Sequence, residues 1–303
     1  MDPESFAMRS GFNLLILAMV LGGCQRPTSS PTPGQTADPV ASPVGQAYFR
    51  ALTFAYPGRP DAKKSFEARW LCAQQATGIK AQLNTPASLG LGALEFQFRP
   101  QPKTQDQEVE VYIGSSEQVA SGQPIKLKRK EALYFMSSPW VGSPPLMFPE
   151  LDKDTKAAGE YQFSTSLPGG ARVNLKHDFL PAMRLVQPTS GVVTSGGAAV
   201  TIQWEPVEGA EAYAVSATGD GARGGKAFWY APALYERELV ETGPVATRAK
   251  GNLFGPEQRT CVIPAGIFKE SIVSVSAFSE SQVAEGAIPM RAWCESVSTF
   301  DLK

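Results

Sequence analysis

Val200-Thr201-Ile202-Gln203-Trp204 is followed by Glu205-Pro206-Val207-Glu208-Gly209-Ala210 and then by Ala212-Tyr213-Ala214-Val215-Ser216. The first five residues alternate apolar and polar, the period of a strand with one buried face. Pro206 and Gly209 make the next stretch a turn, and the last five residues begin a second strand. Further along, Thr260-Cys261-Val262-Ile263 runs into the turn Pro264-Ala265-Gly266, Ile272-Val273-Ser274-Val275-Ser276-Ala277 alternates again, and residues 290–302 hold a last strand. Toward the N-terminus, short β-prone runs fall at 47–56, 94–98, 108–113, 132–136, 161–165 and 172–176. Turn signals such as Pro57-Gly58, Gly122-Gln123-Pro124 and Pro168-Gly169-Gly170 separate them. Residues 61–77 read two ways. Phe66, Ala68, Trp70 and Cys72 alternate as in a strand, whereas Asp61 after Pro60 fits a helix N-cap and Gly78 a helix end; the strand reading is preferred. No internal repeat relates the two halves. The pattern predicts an all-β chain of two tandem β-sandwich domains, residues 46–184 and 185–303.

Residues 185–303 resemble a fibronectin type III domain, an immunoglobulin-like sandwich. The resemblance rests on a strand ending in Trp204, the Pro-containing turn, Gly209-Ala210, and the Tyr213-Ala214-Val215 strand. It implies that Trp204 is the core tryptophan of the second strand, that Tyr213 and Val215 lie on the third, and that 260–263 and 272–277 are the fifth and sixth. One position departs. The family usually has a tyrosine six residues before the alanine of the sixth strand, and this chain has Ser271, so the tyrosine-corner hydrogen bond is missing.

Composition narrows the function classes. The 303 residues hold 28 Lys plus Arg against 29 Asp plus Glu, without the basic excess of a nucleic-acid binder. With 43% hydrophobic and 19% charged residues the chain can build cores, which excludes a wholly disordered protein. Gly 28 and Pro 25 suit many short turns. One histidine, His177, and four cysteines exclude histidine-rich metal sites, and no cofactor or metal is expected.

The N-terminus carries an address. Met8-Arg9 precedes an apolar run at 12–21, broken by Asn13, and then Leu21-Gly22-Gly23-Cys24. A basic residue, a short apolar stretch and small residues before a cut site make a secretory signal peptide, residues 1–23. The run is about half the roughly 20 residues a membrane-spanning helix needs. Asp2 and Glu4 do not suit a basic leader, so residues 1–7 read as an appended scar or a miscalled start. Leu-Gly-Gly-Cys resembles a bacterial lipobox. The resemblance implies cleavage after Gly23 and lipidation of Cys24, which would anchor an exported protein to the cell envelope, at the outer membrane or cell surface. Residues 24–45, with Pro27, Pro31, Pro33, Pro39 and Pro43 among small polar residues, read as a disordered tether of roughly 60 Å reach at ~3 Å per residue.

Candidate chemistry is sparse. Exported cysteines tend to pair, and Cys261 with Cys294 is the expected disulfide, leaving Cys72 odd and buried. His177 stands without a Gly-x-Ser-x-Gly elbow and reads as a surface or strand-end residue. Asp152-Lys153-Asp154 with Glu160 departs from a calcium loop, since Ala157 stands where glycine is required. Aromatic clusters remain. Phe228-Trp229-Tyr230 follows a glycine-rich loop bearing Arg223, and Trp140 lies in a proline-rich stretch. Such aromatics stack on sugars or anchor a protein partner when loops expose them, and fill the core when strands turn them inward. These readings converge on a non-enzymatic cell-envelope lipoprotein that binds a protein or a polysaccharide through Trp140, Arg223, Phe228, Trp229 and Tyr230. The alternatives are an envelope-carbohydrate-active enzyme or its accessory module, and a structural spacer subunit of an envelope complex.

Overall fold

The computed structural model describes residues 47–57, 66–74, 80–89, 91, 93–97, 108–113, 125–128, 146–147, 151, 154–165, 170–233, 235–286 and 290–303. The first half contains β1 (Ala47–Tyr56), β2 (Phe66–Gln74), β3 (Lys80–Asn84), β4 (Ala93–Gln97), β5 (Glu108–Ile113), β6 (Ile125–Lys128), β7 (Leu146–Met147), β8 (Gly159–Thr165) and β9 (Ala171–Leu175). The second contains β10 (Leu185–Gln187), β11 (Val192–Val193), β12 (Val200–Trp204), β13 (Ala212–Gly221) and β14 (Lys226–Ala231). Helices α1 (Glu236–Thr242) and α2 (Pro244–Ala249) come next, then β15 (Thr260–Ile263), β16 (Phe268–Phe278), β17 (Gln282–Val283), β18 (Glu285–Gly286) and β19 (Met290–Leu302). The fold is all-β and of sandwich type. Residues 66–74 take the strand alternative, and the run at 132–136 lies outside the described residues.

The strands arise where side chains alternate. In β9 the pattern is buried, exposed, buried, exposed, buried, and Ala171, Val173 and Leu175 supply the inner face. In β12, Val200, Ile202 and Trp204 do the same. The two helices were not foreseen. Pro244 occupies the first turn of α2, where its missing N–H costs nothing. Tyr235, Leu239 and Val240 turn inward onto Phe228, Tyr230, Phe278 and Trp293, so one face of the sheet replaces the stability that helices this short lack.

Eleven strands form one sheet, with the path β6-β5-β14-β13-β16-β19-β1-β2-β7 and with β11 and β17 also paired to β19. A three-stranded sheet, β10-β12-β15, and a five-stranded sheet, β18-β9-β8-β3-β4, complete the set. A single apolar core joins all three. Phe49 of β1 meets Tyr161 and Phe163 of the five-stranded sheet at 4.7 and 5.3 Å, and Trp204 of the three-stranded sheet meets Tyr213 at 5.7 Å. The small sheets therefore pack on one face of the large one, and the helices cover part of the other.

This topology corrects the expected division at residues 184 and 185. β1 pairs parallel with β19 over nine register positions, Ala47↔Met290 to Ala55↔Ser298. β5 pairs parallel with β14, Lys226↔Val109 to Tyr230↔Ile113. The first half thus extends both edges of the sheet built by the second. The connection between the halves is buried rather than a free linker. Phe179, Leu180 and Met183 lie in the shared core, the Thr53 hydroxyl donates to Leu180 O at 2.7 Å, and Met183 N–H donates to Ser296 Oγ at 3.0 Å.

One charged pair crosses the β1–β19 ladder. Arg50 Nη1 donates to Glu295 Oε2 at 2.6 Å, with both side chains nearly buried. Trp293 Nε1–H reaches the same carboxylate oxygen at 3.3 Å. Burial is the largest single influence and opposes the Arg50 charge, but Glu295 together with Cys72 and Tyr48 outweighs it and holds the guanidinium above its ordinary range. Removing one partner leaves the other charge buried and uncompensated. Arg50→Met and Glu295→Leu are each expected to cost about 3–5 kcal/mol, and the double variant less than either single one. Urea unfolding monitored by tryptophan fluorescence measures all three.

Candidate functional site

The β13–β14 hairpin places Arg223. Its tip, residues 221–225, closes through Gly221 N–H to Gly225 O at 3.0 Å, and Ala222 N–H ties it to Ile267 O at 2.9 Å. Gly224 and Gly225 have φ of 92° and 76°, the left-handed region that glycine enters without steric cost. Arg223 is exposed at this tip, and Lys226 pairs with Asp220 at the hairpin base. The tip offers one exposed cation to a partner.

The aromatic triplet beside it is not a surface cluster. Trp229 is 0% exposed and belongs to the core between the sheets, while Phe228 and Tyr230 are buried on the opposite face under the helices. Tyr230 meets Tyr235 edge-on at 6.1 Å. The expectation of a stacking platform at Phe228, Trp229 and Tyr230 is corrected, because both faces of β14 are covered, one by the small sheets and the other by the helices. Trp140 lies outside the described residues, as does Cys24.

The cysteine expectation is corrected too. Cys72, Cys261 and Cys294 are all free and buried. Cys261 sits opposite Ile202 in the three-stranded sheet, and Cys294 sits opposite Ala51 in the large sheet. Both side chains enter the core between the sheets without pairing. The Cys294 thiol donates to His177 O at 3.3 Å, and the His177 side chain is exposed. Burial pushes the Cys261 and Cys294 thiols up to about 12 and the Cys72 thiol to about 11.

Ser271, at the position where the expected tyrosine is missing, lies in β16. Ser271 Oγ is buried without a hydrogen-bond partner. Gly219 lies opposite it, where an added Cβ would fall 2.0 Å from Glu270 O. The backbones approach too closely for a side chain on β13. Tyr213 instead ties the neighbouring turn, since its hydroxyl accepts Val207 N–H at 2.9 Å while Arg259 lies over its ring at 5.1 Å.

Two accessible polar features escaped the sequence reading. The first is the outer face of the five-stranded sheet. Register aligns Glu285, Arg172, Gln162 and Asn84 in one row across β18, β9, β8 and β3. Glu160 links the row sideways, accepting from Gln162 Nε2 at 2.7 Å and lying 3.6 Å from Arg172 Nε. Such amide, carboxylate and guanidinium groups can hydrogen-bond a hydroxyl-rich ligand. The second is the half-buried Arg291 at the start of β19. Its Nε donates to Glu241 O at 2.8 Å, at the end of α1. Burial alone lowers its pKa, without a compensating carboxylate. The outer row was visible only as exposed alternation within separate strands, and β18 carried no strand signal at all.

Among the described residues, no group of three or more His, Cys, Asp or Glu is placed to hold a metal. The chain matches no family model and no curated protein.

Two measurements test these placements. Trp229→Ala is expected to lose about 3–5 kcal/mol of stability through the cavity it leaves, whereas Arg223→Ala stays within about 0.5 kcal/mol of the parent; urea midpoints decide. Aromatic disulfide reagents at neutral pH are expected to label Cys72, Cys261 and Cys294 slowly in the native protein and fully in guanidinium. A Cys261–Cys294 disulfide would instead leave only Cys72 of these three reactive after unfolding.

Proposed function

We propose that the protein is a non-enzymatic, lipid-anchored binding protein of the bacterial cell envelope. The observation that carries this reading is the run from Leu21-Gly22-Gly23-Cys24 through the proline-rich 25–45 to Ala47, where the chain enters β1. A leader of that kind ends in an anchor and a spacer. The spacer leads directly into a strand held on both sides, by β2 and by β19.

The strand order supports the fibronectin type III-like reading of residues 185–303. The first, second and fifth main strands, β10, β12 and β15, form one sheet, and the third, fourth, sixth and last, β14-β13-β16-β19, lie side by side in the other. Trp204 sits at the end of the second strand, buried against Tyr213 of the third. Domains of this architecture serve mostly as frames that present surfaces and loops, and function rests with those surfaces. A protein partner is the favoured ligand class. The polar row Glu285–Arg172–Gln162–Asn84 favours a polysaccharide as the second reading.

Fractionation of intact cells tests the anchor. The parent is expected in the membrane fraction and Cys24→Ala in the soluble fraction; membrane retention of the variant would sink the lipidation reading. Crosslinking in intact cells with mass spectrometry of the captured material tests the partner. A stoichiometric protein is expected, whereas retained glycan without protein would shift the reading to the polysaccharide.

A further inference from the structure

Arg291 is prepared for a carboxylate that the described chain does not provide. The guanidinium is fixed at one end by the Nε–H bond to Glu241 O. No described Asp or Glu lies within ion-pair distance of its Nη atoms. Burial weakens its hydration, so a partner carboxylate would meet a guanidinium already partly desolvated.

The surroundings are rigid. The α1–α2 corner is Gly243, with φ 85°. A Cβ there would lie 2.0 Å from Ser281 Oγ and 3.6 Å from Arg291 Nη1. Only glycine lets the corner press against Ser281 beside the guanidinium. The Ser281 hydroxyl adds a second donor at this spot. The surroundings are also apolar. Val283 is the direct register partner of Arg291 on the same face and is 64% exposed. Val245, two residues beyond Gly243, is 37% exposed. Among the described residues only three large hydrophobics are this exposed, and two of them lie at this corner.

We propose that Arg291, Ser281, Val283 and Val245 form a docking point for a partner-protein segment that presents an Asp or Glu flanked by aliphatic side chains. The guanidinium takes the carboxylate in a two-bond fork, Ser281 donates a further hydrogen bond, and the valines cover the flanking apolar groups. Arginine anchors of this kind concentrate binding energy at interfaces. The inference rests on the protein-binding reading above and names the chemistry of the partner.

The test uses the full chain and an array of nine-residue peptides. Each peptide has a central Asp or Glu flanked by Leu, Ile or Val, and each has a matched Asn or Gln counterpart. The parent is expected to bind the acidic members about tenfold more tightly than the amide members, as a charge-assisted pair would give. Arg291→Ala should erase that ratio, and Arg291→Lys should keep part of it. Val283→Asp supplies a carboxylate from the register partner at an exposed site where folding is not at risk. It should block the acidic peptides while leaving the unfolding midpoint unchanged. Equal binding of acidic and amide peptides by the parent, or an unchanged ratio in both Arg291→Ala and Val283→Asp, overturns the proposal. If that happens while cell crosslinking still captures a stoichiometric protein partner, the docking point fails and the binding reading stands. If crosslinking captures none, the binding reading fails as well.

Discussion

The rest of the molecule depends on the buried Arg50–Glu295 pair across the parallel β1–β19 ladder. Parallel pairing of strands 245 residues apart is a non-local contact, with a large loop-closure cost and no turn to set its register. The alternation of β1 does set a face, because Phe49 and Ala51 must enter the sandwich core while Tyr48 and Arg50 take the other side. It does not set which residue of β19 lies opposite. A shift by two residues would keep every apolar side chain on its face. It would also move the guanidinium by about 7 Å from Glu295 and leave two charges buried apart. The ion pair contributes little net stability over an apolar pair of the same shape, but it strongly disfavours the wrong register. Trp293 strengthens that choice by donating to the same carboxylate.

With β1 fixed, the four strands β14-β13-β16-β19 no longer have exposed edges. β1 covers one side and β5 the other, each in parallel. A four-stranded sheet on its own exposes two rows of unpaired backbone groups, which invite pairing with other chains. Here both rows are filled from within the same chain, and the outermost strands on either side, β7 and β6, are short. Phe228, Trp229 and Tyr230 are interior because the small sheets cover one face of β14 and the helices the other. The pairing of β1 and β5 also makes the first half a jacket on the second rather than an independent sandwich, with Phe179, Leu180 and Met183 buried at the seam.

Local elements were legible in the sequence because period-2 alternation is a local signal. The strands from Val200, Tyr213, Thr260 and Ile272, the last strand over 290–302, and most first-half strands were expected where they occur. The helices were not, because seven- and six-residue helices are chosen by the sheet face they cover rather than by their own sequence. Domain division was misread for a related reason. Pattern within one strand says which face is buried but not which strand lies alongside, and the decisive neighbours are far apart in sequence. Arg50 could be noticed as the lone charge of β1, whereas Glu295 shares β19 with Arg291 and Asp301. Nothing local paired them. The disulfide expectation relied on location and count, and both thiols are free within the shared core.

The register that locks β1 also orients the proposed docking corner. Ala47 pairs with Met290 and Tyr48 with Arg291, so Arg291 lies at the end of the sheet where the chain enters β1. Val283, its partner across β17, is at the same end. Arg223 belongs to the opposite end of β13, since Ala212 pairs with Phe278 near the corner and Gly221 with Phe268 at the far end. On the proposed anchoring, the Arg291 corner faces back along the tether and the Arg223 tip faces away. A partner held at the corner would then sit between the body and the membrane, within the tether's reach of about 60 Å. That geometry favours an envelope protein over a ligand arriving from outside the cell. The polar row across β18, β9, β8 and β3 has a different aspect: it is a flat flank of the body, open to ligands regardless of how the tether is extended.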